Sequence, residues 1–281
     1  MDAEQHRYAS SERWEDAGAG WARRHAAMTA LGAPVASWLV DAIHPQPGHR
    51  VLDLAAGIGE TGFLAAELIA PGGSLICSDQ AESMLDGARA RAEHLGLGNV
   101  EFKLINAEWI DLPVASLDAV LCRWGYMLMA DPGAALLETR RVLRPGGRVA
   151  LAVWDERERN PWLAVPATLF AERGLSPPAE SDAPGPFALA DRERLLALLE
   201  GAGLQDIEID ALALEYRHPS FNAFWDTQLD LSRSFHDAAM SVTEPESEEL
   251  QAELQRRLAP YIHPNGELVL PASSLVAAAS A

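Results

Sequence analysis

Lysine is almost missing from this chain: one residue, Lys103, accounts for all of it among 22 Lys and Arg residues. A mechanism that depends on a catalytic lysine therefore has a single position to use. Positive charge is scarce altogether. Against those 22 cations stand 41 acidic residues, for a formal net charge of −19. That balance argues against nucleic acid as a partner, because binding there is driven by cations that displace counterions from phosphates. It argues equally against an anionic membrane surface. Cysteine is nearly as rare. Cys77 and Cys122 stand far apart with no CxxC, which predicts neither a disulfide framework nor a metal site and points to a reducing, cytoplasmic compartment. No apolar run approaches the ~18 residues of a membrane span. The opening stretch MDAEQHRYASSER is charged from residue 2 and lacks an apolar run, so no signal peptide is expected.

What is present is a chain of 281 residues with 48% hydrophobic content, enough for one large domain or a domain with a cap. No internal repeat stands out. Residues 1–47 read as an N-terminal helical cap, with Trp14, Trp21, Ala36, Leu39, Val40 and Ile43 at helical spacing and a break at Gly32–Ala33–Pro34. From residue 48 short apolar runs alternate with longer amphipathic ones. Val51–Leu54, Ser74–Cys77, Val100–Ile105, Ala119–Cys122 and Arg148–Trp154 read as buried strands, with helices over 60–70, 82–95 and 133–144 between them. Such alternation predicts an α/β fold, a Rossmann-like doubly wound sheet. The core spans 48–217. Within it, 155–190 carries Pro161, Pro166, Pro177, Pro178, Pro184 and Pro186 and is expected to hold neither a central strand nor a long helix; it reads as a lid segment. Asp191–Ala202 is amphipathic, with Gly203 behind it, and 206–217 alternates as a half-exposed strand does. Residues 218–263 read as a helical lid insertion, with one helix through Phe221–Phe235, a solvated acidic run at Glu244–Glu249 and another helix through Leu250, Leu254 and Leu258. Residues 264–281 read as the last strand, antiparallel to its neighbours.

The segment VLDLAAGIGETG, residues 51–62, carries the most information. Gly57, Gly59 and Gly62 match G-x-G-x-x-G between a strand and a helix, where the backbone turns tightly and a ligand comes close. Asp53 precedes the loop. A carboxylate there repels a pyrophosphate and suits an ammonium or sulfonium group. A dinucleotide-dependent oxidoreductase accounts for the glycines and for Asp79, an acid about 20 residues on, but not for Asp53. Nor is there a Tyr-x-x-x-Lys, since Asn99 precedes Lys103 by four.

At these residues the chain resembles the class I S-adenosylmethionine-dependent methyltransferases, in the small-molecule branch that contains the quinone C-methyltransferases. The likeness is dense over about 48–154. It implies a seven-stranded sheet, six strands parallel and the last antiparallel, with helical lid insertions, and S-adenosylmethionine as cofactor, released as S-adenosylhomocysteine. VLDLAAGIGETG resembles the loop that wraps the methionine part of the cofactor, placing Asp53, Ala55, Gly57 and Gly59 there. SLICSDQAESMLDGARARA resembles the second strand and its helix; Asp79, with Gln80 beside it, matches the acid that binds the ribose hydroxyls, and Met84 the residue that packs on adenine. In VEFKLINAEWIDLP the matching stretch is Asn106, Ala107 and Glu108, with Asn106 and Glu108 both open as the acceptor for the adenine amino group. LDAVLCRWGYMLMADPGAALLETRRVLRPGG brings Cys122 and Arg123, then a structural Pro–Gly–Gly turn. After Trp124–Gly125 the chain has Tyr126, Met127 and Leu128 where the quinone enzymes carry an arginine–asparagine pair, which departs from their C-methylation machinery.

Methyl transfer from a sulfonium is an in-line displacement that mainly needs alignment and exclusion of water, so no catalytic dyad is demanded. The catalytic residues stay unassigned; Tyr8, His25 and His236 are candidates for a base. Trp21, Trp124, Tyr126, Trp154 and Trp225 are candidates, with Trp14, to line an apolar acceptor site. The expected acceptor is a small apolar or aromatic molecule, methylated on oxygen or carbon in preference to nitrogen. A cofactor-binding protein without turnover stays open, as does a homodimer through the lid helices.

Overall fold

A computed structural model describes residues 3–177 and 183–281. Five parallel strands form its centre: β1 (Arg50–Leu54), β2 (Ser74–Asp79), β3 (Val100–Leu104), β4 (Leu117–Arg123) and β5 (Leu143–Trp154). The strands β6 (Gln205–His218) and β7 (Leu268–Ser280) complete a seven-stranded sheet in the order β3-β2-β1-β4-β5-β7-β6. Only β7 runs against its neighbours, as the resemblance implied. In β1, β2 and β4 both faces are covered, so Val51, Leu52, Leu75, Ile76, Val120 and Leu121 are fully buried in unbroken apolar runs. The edge strand β6 alternates buried and exposed residues over Leu214–His218. The strand order reverses between β1 and β4, and ligands of such sheets sit at the carboxyl ends of those strands.

The first helix corrects the expected break. α1 (Ala3–Ala42) runs through Gly32–Ala33–Pro34 without interruption. A proline inside a helix costs about 3 kcal/mol. Val35, Leu39, Val40 and Ile43, all 0–3% exposed in the main core, each return on the order of 1.5–3 kcal/mol by leaving water, so packing overrides the local signal. Gly32 has its own reason. A Cβ there would lie 1.8 Å from Arg123 Nη1, so the glycine lets the helix press onto β4.

α2 (Glu60–Leu68), α3 (Glu82–Leu95) and α4 (Pro132–Val142) fall where the periodicity placed them. The Pro–Gly–Gly turn is absorbed into an irregular start of β5, with a register shift against β4 between Leu117 and Ala119. The proline-rich segment holds no strand among its described residues, as expected, but it does hold a helix of three turns, α5 (Pro161–Glu172). Pro161 opens that helix, where no N–H is needed. Pro178 and the rest of 178–182 lie outside the described residues. α6 (Arg192–Gly201) is capped by Asp191, which accepts from the Glu193 and Arg194 N–H groups. The expected Phe221–Phe235 helix is two: α7 (Phe221–Leu231) and α8 (Arg233–Met240), divided at Ser232, whose hydroxyl caps the second. The acidic run is a solvated face, with Glu244, Glu246, Glu248 and Glu249 all exposed. It forms the first turns of α9 (Glu244–Leu258), closed by a capping box of Thr243 and Glu246, and acids there suit the positive end of the helix. Among the described residues no helix is long and apolar enough to cross a membrane.

Candidate functional site

A cleft opens at the carboxyl ends of β1, β2 and β4, roofed by the N-terminal half of α1. Its floor is the turn after β1. Ala55, Gly57 and Gly59 hold positive φ, of 53°, 55° and 82°. Ala55, with a side chain, is strained there by about 1–2 kcal/mol. At the end of β4, Trp124 is also in the left-handed region, at φ 60°. Gly125 follows it, and a Cβ there would crowd Cys122 Sγ and Ala55 Cβ. Two strained non-glycine residues thus flank the reversal point, where such strain is characteristic of ligand sites.

The three motif glycines do different things. Gly57 lines the cleft, and its N–H donates to Asp79 Oδ2 at 2.9 Å; no atom lies within 4 Å of where its Cβ would stand. Gly62 gives room to Asp53, whose Oδ2 accepts from the Gly62 N–H at 2.8 Å. Gly59, expected at the cofactor, is not among the cleft residues. It precedes α2, and a Cβ there would meet the Phe63 ring at 2.4 Å; its bareness serves packing.

Carboxylates dominate the cleft. Asp53 is 1% exposed, and burial pushes its pKa up to about 7, against the pull of the Gly62 N–H and the Arg123 charge. Asp79 is buried too and raised for the same reason, while the N–H groups of Gly57 and Ala81 oppose the shift. Glu60 accepts from both Arg123 and Thr29, and Arg123 lies 4.7 Å over the Trp124 ring. Thr61 Oγ1 and Arg123 Nη1 are buried without hydrogen-bond partners. Glu108 takes Arg7 Nε at 2.9 Å and the Ala130 N–H at 2.9 Å. Each arginine is thus matched by a glutamate, which leaves Asp53 and Asp79 as the net charge of the cleft.

Of the remaining sequence candidates, Asp53, Ala55, Asp79, Gln80, Met84, Asn106, Ala107, Glu108, Arg123, Trp21 and Trp124 all line the cleft. Asn106 and Glu108, both open as adenine acceptors, are already engaged, since Asn106 Oδ1 accepts from the Glu108 N–H at 2.9 Å. Others do not reach the cleft. Cys122 is fully buried in β4, its thiol raised by burial. Tyr126 is sealed beneath, its hydroxyl 2.6 Å from Thr139 Oγ1. Trp154 stacks behind Trp124 at 4.1 Å, and Trp225 packs edge-on against Phe235 at 4.9 Å. Among the base candidates, Tyr8 is 68% exposed, His25 bonds the Ala22 carbonyl on the surface, and His236 lies in a separate groove between α1 and α8.

Sequence reasoning missed His6, Arg7, Ser10, Glu60 and Thr61. The first three were within reach. Residues 6, 7, 10, 14 and 21 fall on one helical stripe, which Trp14 and Trp21 already marked and which excludes Tyr8. Ser10 Oγ accepts from Gln80 Nε2 at 3.1 Å, and His6 Nε2 lies 3.1 Å from the Leu128 carbonyl, so the stripe ties the roof to both walls. Glu60 and Thr61 carried no comparable signal.

Comparison with known proteins bears on what this cleft is for. Residues 45–172 match the model of a methyltransferase domain. The chain is 35% identical over 172 residues to the Nocamycin O-methyltransferase of Saccharothrix syringae, covering 60% of this chain and 58% of that protein. It is 33% identical over 183 residues to the Ubiquinone/menaquinone biosynthesis C-methyltransferase UbiE of Cupriavidus necator, covering 58% of this chain and 70% of that protein. The chain belongs to the class I S-adenosylmethionine-dependent methyltransferases. Among solved structures, the YcgJ protein of Bacillus subtilis shares the fold at a TM-score of 0.57 and 18% identity, over 87% of this chain and 97% of that one.

S-adenosylmethionine is the cofactor of this family, and the cleft fits it. Its net charge, from Asp53 and Asp79, suits a sulfonium and an ammonium and opposes a pyrophosphate. The open face of Gly57 leaves backbone free for a ligand to approach. Asp79 keeps lone pairs beyond the two it gives to N–H groups, as a vicinal diol requires. That chemistry sets aside the dinucleotide reading.

Proposed function

We propose that this methyltransferase moves a methyl group from S-adenosylmethionine to a small apolar or aromatic acceptor, on oxygen or carbon in preference to nitrogen. The observation that carries this reading is the wall of the cleft beyond Asp53 and Asp79. Trp21, Trp124, Leu128 and Met129 line it, while Glu60 is committed to Arg123 and Thr29. An amine acceptor has no free carboxylate there to hold it; a flat apolar molecule has rings to lie against. The two curated relatives named above differ in the atom they methylate, O in one name and C in the other, so kinship leaves that choice to the site.

When bound, the cofactor supplies a methyl carbon already activated by its positive sulfur. The chain supplies position. Asp79 would hold the ribose hydroxyls, Met84 would pack beside the adenine, and Asp53 would offer its carboxylate to the cofactor's positive charge. The roof of α1, fixed by Arg7–Glu108 and Ser10–Gln80, excludes water, as in-line transfer requires. The free, buried thiols of Cys77 and Cys122 accord with a reducing cytoplasm.

The test is incubation of the protein with S-adenosylmethionine and two matched sets of acceptors, aromatic hydroxyl compounds and aromatic amines. A single methyl added to hydroxyl compounds or to ring carbon, with S-adenosylhomocysteine released in step, is the expected result. Methylation of amines alone would overturn the oxygen-or-carbon preference.

A further inference from the structure

Among the described residues, three buried polar atoms outside the cleft have no hydrogen-bond partner: Tyr216 Oη, His218 Nε2 and Gln228 Nε2. Their residues are only 1–3% exposed. Interior polar atoms are nearly always paired, and leaving them unpaired destabilises the fold. Tyr216 and His218 point to the same side of β6, two residues apart, yet their rings meet edge to face at 4.2 Å and do not bond each other. The His218 ring packs on Phe224 of α7 at 5.3 Å, and Gln228 follows Phe224 by one helical turn, on the buried face.

A chain of packed core rings links Tyr216 and His218 to the cleft. Trp124 lines the cleft and stacks on Trp154 at 4.1 Å; Trp162 meets Trp154 at 5.1 Å and Tyr216 at 5.0 Å. We infer that Tyr216, His218 and Gln228 form the polar end of an acceptor chamber that takes an aromatic molecule bearing a phenolate, enolate or conjugated carbonyl oxygen. A tyrosine hydroxyl and an amide N–H both donate, so together they suit an electron-rich oxygen. Arg24 of α1 adds positive charge that reaches both Tyr216 and His218. Burial, and then that charge, holds the His218 pKa down to about 4, so its ring is neutral and able to donate or accept. Solvent does not reach the three atoms. The cover is the seam between α1 and α7, closed by Trp21 Nε1 on the Leu231 carbonyl at 3.2 Å and by Arg24 on Asp230 at 2.6 Å, and it parts to admit the acceptor.

The inference rests on the methyltransferase reading, and its test separates the two. S-adenosylhomocysteine binding is measured first by calorimetry. Equilibrium dialysis then compares 2-naphthol with naphthalene, which differ by one oxygen, with and without S-adenosylhomocysteine. The full chain is compared with Tyr216→Phe, Gln228→Leu and the double variant. The chamber predicts that the wild type favours 2-naphthol by about tenfold, that the double variant loses this preference while keeping naphthalene affinity, and that its melting temperature is unchanged or raised, because unpaired groups have been removed. A merely structural role for these residues predicts a lowered melting temperature instead. Equal binding of the two probes, no binding of either, or a preference that survives the double variant overturns the chamber. A naphthol preference without S-adenosylhomocysteine binding keeps the chamber and overturns the methyltransferase reading.

Discussion

Asp53 and Asp79 end adjacent strands with their carboxylates out of water, and each is held by backbone N–H groups. Asp53 has one such bond and a pKa of about 7. Its folded value therefore lies above its unfolded one, so it favours the folded state in acid, and that contribution is lost as pH rises from about 4 to about 7. Thermal unfolding of the ligand-free protein across that range should show this fall, and Asp53→Asn should flatten it. Binding carries the opposite sign. As pH rises from about 6 to about 8, Asp53 gains its charge, and affinity for S-adenosylmethionine should increase relative to S-adenosylhomocysteine, which lacks the sulfonium. Calorimetry at the two pH values checks this; a constant ratio would remove Asp53 from the sulfonium. Both aspartates were legible because a carboxylate ending a buried apolar run has few structural uses. The roles of Gly59 and Gly62 were not, since a motif records that a side chain is absent and not which neighbour fills the space: Phe63 for one, Asp53 for the other.

At the scale of elements, α1 decides most. It forms the roof of the cleft and touches α2, α3, α7 and four strands, and two glycines set how closely it lies. A Cβ on Gly20 would sit 2.0 Å from the Asp230 carbonyl oxygen. Alanine in place of glycine within a helix ordinarily stabilises, by up to about 1 kcal/mol. Here Gly20→Ala should destabilise by about 1–3 kcal/mol, because backbone must move, and denaturant unfolding reads the sign. Gly32→Ala should likewise cost stability by pushing Arg123 off Glu60, the loss being larger because a buried ion pair is disturbed. Helical spacing gave the apolar face of α1 but misjudged its continuity at Pro34, because local propensity cannot weigh four buried side chains further along. Strand positions in the core were easier, since burial on both faces writes itself as uninterrupted Val, Leu and Ile.

For the whole molecule, the two halves of α1 differ in what anchors them. Residues from Met28 onward pack into the main core, whereas Trp14 and Ala17 join a small separate cluster with Ile58, Ala81 and Met84, and Trp21 packs against both. Cofactor in the cleft should therefore slow amide exchange over about residues 5–20 and leave the part beyond Met28 unchanged. Exchange mass spectrometry with and without S-adenosylhomocysteine tests it. The Arg7–Glu108 pair, with Arg7 39% exposed, is worth about 1 kcal/mol at most, so Arg7→Ala should quicken S-adenosylhomocysteine release by no more than about fivefold. The sheet and its glycine turn were readable from the chain because strand–helix alternation is local. Burial of Trp154, Trp225 and Tyr126 away from the cleft was not, since which way an aromatic faces is fixed by elements far off in sequence.

The central claim is that this cleft binds S-adenosylmethionine through Asp79. Calorimetric titration of the intact protein with S-adenosylhomocysteine, with NADH alongside, tests it most directly. Micromolar binding of S-adenosylhomocysteine, weakened at least about a hundredfold in Asp79→Ala, with no heat from NADH, is the predicted result. Binding of NADH alone, or S-adenosylhomocysteine affinity untouched by Asp79→Ala, would contradict it.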